Sequence, residues 1–357
     1  MNKISIVIAG PAYREFDIYY SIKLLRTHFP ESEIILSSND HLLLTHANRL
    51  GVFDKIVTVE NSGELPSLKF ESVSDRGQPI VCNNINKQIK TSLHGILEAS
   101  HDLVLKIRTD QILMQNHIIS LWNLIKDIPN DNKKTKGRII TSSIFSINPR
   151  FSERMPYHIS DMLQFGFKED LIRYYSAPEY PFDYSVWYET HIYASHSNRN
   201  ENIFRSRYAV EQWLTMNYIF GVNTPFPIKY HNDISHKIIK DFEYIFPDFF
   251  IIAHPKDISL RASKFNSAMN YVNNQCYSTY DSLMFLKEKY KLSEHILSNY
   301  KAMGLNKKIY KHLNAILNSY LIHIVIRHLP VSIRKFLKRI YVEIHLVNKR
   351  KKYITGV

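Results

Sequence analysis

Cysteine is nearly absent: Cys82 and Cys276 are the only two in 357 residues. Two thiols make neither a disulfide framework nor a four-cysteine zinc site, and so few in a chain this long fit a reducing compartment. Histidine is plentiful, at 17 residues, but H-E-x-x-H and paired Cys/His spacings are missing. His191 and His196, in an aromatic stretch, are not read as ligands. Glycine is scarce, at ten residues, and neither G-x-G-x-x-G nor G-x-x-x-x-G-K-[ST] occurs, which argues against the usual dinucleotide and P-loop sites. No run of about 18 apolar residues exists, so a spanning helix is not expected. The apolar stretch Ile4 to Gly10 is short for a signal peptide, and a cytoplasmic protein is expected. With 45% hydrophobic and 13% aromatic residues, the chain is a folded one.

What is abundant is positive charge. Nine basic residues and the single acidic Glu343 between Arg327 and Lys352 carry +8 of the net +13. Leu329, Ile333, Phe336, Leu337, Ile340, Ile344 and Val347 recur there mostly at spacings of three and four. That pattern predicts a basic amphipathic helix. Such a helix lies on an anionic membrane surface or docks on the protein with its lysines in solvent. No nucleic-acid motif accompanies it, and no nucleic-acid partner is expected.

The first half alternates two kinds of segment. Strands are predicted at Ile4–Ala9, Glu33–Leu36, Lys55–Val59, Leu103–Ile107 and Arg138–Ser142. Helices are predicted at Phe16–Phe29, His41–Leu50, Asn84–Ala99 and His117–Ile128, with Gly51 as a stop. This rhythm predicts an α/β fold, mainly a parallel sheet flanked by helices. Further on, helices are expected at Tyr157–Tyr175 and Tyr208–Phe220, and a late strand at Phe249–Ile252. From about Asp281 the chain reads as helical, at Leu283–Tyr290, Glu294–Met303, Lys307–Leu321 and after Pro330. Residues 1–265 are expected to form one α/β domain and 266–357 a helical, basic C-terminal region. Tyr184, Trp187, Tyr188 and Tyr193 form either a sugar-stacking platform or a half-buried aromatic core.

In open parallel sheets ligands sit beyond the carboxyl ends of the strands. After the first strand comes the turn Gly10-Pro11-Ala12-Tyr13, and after the second Ser37-Ser38-Asn39-Asp40. Ser38 is a candidate for a ligand hydroxyl; an ordinary turn is the alternative. After the fourth strand comes Arg108-Thr109-Asp110, which puts a cation and a carboxylate on one side if the strand continues. Sugar-nucleotide transferases use an acidic residue at such a strand end to hold a divalent metal on the donor diphosphate. Oxygen ligands suit Mg²⁺ or Mn²⁺. The alternative is a surface ion pair.

Six motifs, in order, resemble the WavE lipopolysaccharide synthesis family. They are Val7-Ile8-Ala9-Gly10-Pro11-Ala12-Tyr13, Glu33-Ile34-Ile35-Leu36-Ser37, Asn83-Asn84-Ile85-Asn86-Lys87-Gln88-Ile89, Leu105-Lys106-Ile107-Arg108-Thr109-Asp110, Ser160-Asp161-Met162-Leu163-Gln164-Phe165-Gly166 and Glu211-Gln212-Trp213-Leu214. Ala9 departs from the glutamine expected before Gly-Pro. The resemblance implies a glycosyltransferase of the nucleotide-diphospho-sugar transferase (GT-A) fold. It implies donor contacts from Gly10, Pro11, Ser38, Asn84, Gln88, Arg108 and Asp110, with Asp110 the candidate ligand of Mn²⁺ or Mg²⁺. Asp161, read as starting a helix, contacts the acceptor or acts as base; Glu211 is the slightly preferred base. The implied partners are a nucleotide-sugar donor, a lipid-linked or oligosaccharide acceptor, and the inner face of the cytoplasmic membrane through the basic helix. The competing readings are a non-catalytic membrane-associated scaffold and a sugar-phosphate transferase.

Overall fold

The computed structural model describes residues 3–13, 16–70, 82–151, 153–198, 201–300, 325 and 328–336. The chain divides into a unit from Met1 to Lys307 and a second from Lys308 to Val357. Of the expected C-terminal helices, the one at Lys307–Leu321 lies outside the described residues. The one after Pro330 is described only at residues 331–336, which are helical.

Seven strands form the central sheet: β1 (Ile4–Ala9), β2 (Glu33–Ser38), β3 (Lys55–Thr58), β4 (Leu103–Arg108), β5 (Ile139–Ser142), β6 (Gln164–Phe167) and β7 (Phe250–Ala253). Their order across the sheet is β3-β2-β1-β4-β6-β5-β7. All run parallel except β6, which is antiparallel to both β4 and β5. Strands buried on both faces need apolar residues at successive positions. In β1, Ile6 and Ile8 enter one core and Val7 the other. The same division holds in β2, where Ile34 and Leu36 oppose Ile35.

Helix ends follow local chemistry. Asp40 caps His41–Leu50 by accepting from the Leu42 and Leu43 N–H groups. Gly51 ends that helix in the left-handed conformation, its N–H reaching the Ala47 carbonyl. At the amino end of the sheet, Glu33 accepts from the Ser5 hydroxyl at 2.6 Å and the Ser100 N–H at 2.8 Å, and pairs with Lys55 at 2.9 Å. Burial opposes its charge, but these hydrogen bonds win and hold its pKa down to about 2.

Two expectations change. Residues 157–175 are not one helix: 157–163 run as loop and turn, β6 follows, and the helix spans only Lys168–Tyr175. The gap between β4 and β5 decides this, because only an extended segment satisfies both strand edges. Phe165 and Phe167 each meet Trp122 edge-on at 5.3 Å, and a Cβ on Gly166 would stand 3.3 Å from the Arg138 carbonyl oxygen. The first unit also runs past residue 265. Helices Ser263–Gln275 and Thr279–Tyr290 put Val272, Leu283 and Leu286 into the main core. Glu294–Leu297 is a short 3₁₀ turn.

Helix Ile85–Leu97 lies against β1 and β2 through Gly95, where a Cβ would come within 2.6 Å of Val7 Cγ1 and 2.8 Å of Ser37 Cβ. Helix propensity alone favours alanine there. Gly95→Ala is nevertheless expected to cost about 1–3 kcal/mol. A lower urea midpoint at unchanged slope is the readout.

Candidate functional site

β1 connects onward to β2 on one side and lies beside β4 on the other. This makes their carboxyl ends the switch point of the sheet, where ligands bind. A cavity of about 480 Å³ opens there, a size suited to a small organic ligand. Its floor is the turn after β1. Gly10 has φ +127°, and a Cβ would stand 3.2 Å from Thr109 Oγ1. Thr109 Oγ1 donates to the Pro11 carbonyl at 2.6 Å, tying the turn to the end of β4. Ser38 is buried beneath it: its hydroxyl donates to the Gly10 carbonyl at 2.8 Å and accepts from Asp40 N–H at 3.0 Å. It braces the turn and does not line the cavity.

Helix Ile85–Leu97 supplies one wall. Asn83 is engaged locally, accepting from the Ile85 N–H and donating to the Pro66 carbonyl. Asn84 occupies the N-cap position but makes no side-chain capping bond, and it is exposed. Its amide and that of Gln88 are on the cavity wall, at a helix end that favours anions and polar ligands.

β4 supplies the cations. Lys106 and Arg108 sit two apart on one face and both line the cavity. Lys106 is 1% exposed; its ammonium donates to the Asp161 carbonyl at 2.8 Å and lies 5.2 Å from the Tyr175 ring centroid. Burial pushes its pKa down to about 8, against the pull of Asp161. Arg108 Nε donates to Asp110 Oδ1 at 3.0 Å and Nη2 to Tyr13 Oη at 2.5 Å. Burial disfavours its charge, but Asp110, Tyr13 and Asp161 together more than compensate and raise its pKa. Asp110 itself leaves the wall. The strand ends at Arg108, residues 109 and 110 turn, and Gln111–Leu113 pairs with the separate strand Leu260–Ala262. Asp110 is therefore fully buried behind Arg108, and its Oδ2 accepts from Ser263 Oγ at 2.8 Å.

Two carboxylates face these cations. Asp161 lies in the loop before β6, where the expected helix start is absent. It is 3% exposed, and its Oδ2 is buried with no hydrogen-bond partner among the described residues. Glu211 stands in the first turn of helix Val210–Phe220 with its Oε2 3.4 Å from His158 Nε2. The other ring nitrogen of His158 lies 2.8 Å from the Phe145 carbonyl, which fixes it as the N–H donor.

Of the sequence-predicted residues, the cavity thus gathers Gly10, Pro11, Asn84, Gln88, Arg108, Asp161 and Glu211, and not Ser38 or Asp110. Lys106, Tyr13 and His158 were not singled out. A lysine two residues before an arginine in an apolar strand was the available signal for the first; nothing local marks His158. The aromatic stretch packs elsewhere. Tyr184 and Trp187 surround the Arg207 guanidinium, Tyr188 stacks on Tyr193 at 4.1 Å, and none lines the cavity. Among the described residues no group of three His, Cys, Asp or Glu side chains clusters as a metal site.

The described residues thus form an α/β fold, a mainly parallel seven-stranded sheet with one reversed strand and a polar cavity at its switch point. The chain belongs to the WavE lipopolysaccharide synthesis family, whose sequence profile matches residues 4–315. No curated protein matches it in sequence. Similar solved structures include S. aureus TarS 1-349, at 13% identity over 90% of this chain and 81% of that one, with TM-score 0.30. The glycosyltransferase GlyE of Streptococcus pneumoniae TIGR4 shares 9% identity over 89% of this chain and 62% of its own, with TM-score 0.33. An active-site mutant of LgtC shares 14% over 47% and 59%, with TM-score 0.29.

The depressed pKa of Lys106 gives a measurable signature. In the folded state the ammonium loses its proton near pH 8, while the unfolded chain holds it until about 10.4. The unfolded state binds more protons in that window, so the lysine's contribution to stability rises with pH. Between about pH 7 and 9.5, wild type should gain on the order of 2 kcal/mol relative to Lys106→Met. Urea denaturation at both pH values measures it; parallel curves for the two proteins would show that Lys106 is not a buried charge.

Proposed function

We propose that this protein transfers a single sugar from a nucleotide-diphosphate donor to a saccharide hydroxyl during synthesis of lipopolysaccharide core or a surface polysaccharide. Family membership carries this reading, and the cavity supports it: one pocket presents amides at a helix N-terminus, the cations Lys106 and Arg108 and the carboxylates Asp161 and Glu211, beside the Glu64–Lys87 ion pair. The amides of Asn84 and Gln88 would contact the nucleoside, and Arg108 the diphosphate. The unpartnered Asp161 Oδ2 would accept a sugar hydroxyl, since a buried carboxylate oxygen is costly until it is hydrogen-bonded. Glu211, partly exposed and backed by His158, would take the proton of the attacking hydroxyl. Protonated at both ring nitrogens, His158 would donate from Nε2 to the carboxylate and orient it.

The acceptor in this reading is lipid-linked, and the basic C-terminal segment would hold the enzyme at the inner face of the membrane. No helix among the described residues is long and apolar enough to cross a membrane, and in this reading the contact is a peripheral one. Truncation after Pro330 is expected to abolish sedimentation with anionic vesicles while leaving transfer to a soluble oligosaccharide intact.

Incubation with a panel of nucleotide-sugars and a lipid-linked oligosaccharide, read by mass spectrometry, tests the reaction. The acceptor should gain one sugar mass as nucleoside diphosphate appears; a gain of sugar plus phosphate would instead mean sugar-phosphate transfer. Glu211→Gln should lower kcat by about 10²–10⁴ with donor affinity nearly unchanged. Full turnover in both Glu211→Gln and Asp161→Asn would reject this site.

A further inference from the structure

We infer that the donor's diphosphate is held by Lys106 together with Arg108, and that transfer proceeds without a bound divalent cation; this rests on the glycosyltransferase reading above. The carboxylate at the strand end does not fit a metal. Asp110 is fully buried, absent from the cavity wall, and spends one oxygen on Arg108 Nε and the other on Ser263 Oγ. The remaining acids of the wall gather into no group of three with other His, Cys, Asp or Glu side chains among the described residues, although Asp161 keeps an unpartnered Oδ2. Glu64 pairs with Lys87 at 2.8 Å, Glu211 faces His158, and Asp161 sits beside the Lys106 ammonium. A divalent cation bound at this strand end would meet two fixed positive charges where it needs oxygen donors.

Those charges are already arranged for phosphate. Asp110 and Tyr13 fix the Arg108 guanidinium through Nε and Nη2, and Nη1 has no partner among the described residues. Lys106 spends one N–H on the Asp161 carbonyl and has two left. An oriented guanidinium binds phosphate oxygens through paired hydrogen bonds, and an adjacent ammonium adds a point charge. In the transfer, the bond from the sugar anomeric carbon to the diphosphate oxygen breaks and its electron pair stays on that oxygen. The acceptor oxygen bonds to the same carbon, and its proton passes to Glu211. The charge added to the leaving diphosphate then falls beside Lys106 and Arg108. Asp110 is a positioning residue in this scheme, acting through Arg108.

Calorimetric titration of the full chain with the five common nucleoside diphosphates, in excess EDTA and then in Mn²⁺ or Mg²⁺, tests this. The tightest should bind in EDTA with a Kd within about threefold of its value in metal. Arg108→Gln and Lys106→Gln should each weaken it by about tenfold or more, the usual loss for a hydrogen bond to a charged group. Arg108→Lys should recover part of that loss. Asp110→Asn should weaken binding by the same factor with and without metal, whereas loss of a metal ligand would show only in its presence. Binding that appears only with Mn²⁺ or Mg²⁺ overturns the inference and leaves the transferase standing. Absence of binding under both conditions overturns both. Should the substitutions prevent folding, the wild-type comparison in EDTA and metal decides alone.

Discussion

The structure is organised around two cations at the carboxyl end of β4, one buried and the other largely enclosed. Lys106 and Arg108 occupy the face on which Val104, a few residues earlier, enters an apolar core. A charge taken from water into such surroundings costs several kcal/mol unless partners are brought to it. The partners come from distant parts of the chain. The loop before β6 brings the Asp161 carbonyl, helix Lys168–Tyr175 brings the Tyr175 ring, and the turn after β1 brings Tyr13. Asp110, steadied by Ser263, comes from behind. The reversed strand, the β1 turn and a helix beyond residue 262 are thus all tied to this pair.

The opposite end of the same sheet is built on different terms. There Glu33 ties together β1, β3 and the segment leading into β4 with short hydrogen bonds that consume both its oxygens. Nothing in that clasp is left over for a ligand. At the carboxyl end, by contrast, Asp161 Oδ2 and Arg108 Nη1 are left without protein partners among the described residues. Unfilled hydrogen-bonding capacity in a buried place is a cost to folding, and at this end of the sheet it coincides with the place where the strand order puts a ligand.

Most of the first half was legible because its signals are local. An apolar run such as Ile4–Ala9, a capping Asp40 and a stop at Gly51 act within a few residues, and those elements stand where the sequence puts them. The reversed strand was not legible. Its segment is compatible with a helix and becomes a strand only because β4 and β5 leave an open channel between them. The site divides the same way. Arg108 follows from the strand pattern, while His158 behind Glu211 depends on where a loop meets the start of a helix, which no spacing encodes.

Asp110 shows how one local event redirects chemistry. The alternation of strand side chains puts residues 108 and 110 on one face only if the strand continues past both. It does not, because the Arg108 N–H is taken by the Gln111 side chain at 2.9 Å and the chain turns. A single turn therefore moves the carboxylate from the cavity wall to the back of the guanidinium. It converts an acid that would attract a cation into one that orients a cation belonging to the protein. In the proposed transfer the requirement for positive charge beside a departing diphosphate is unchanged. What differs is that the charge is covalently part of the strand, preset by Asp110 and Tyr13 before any ligand arrives.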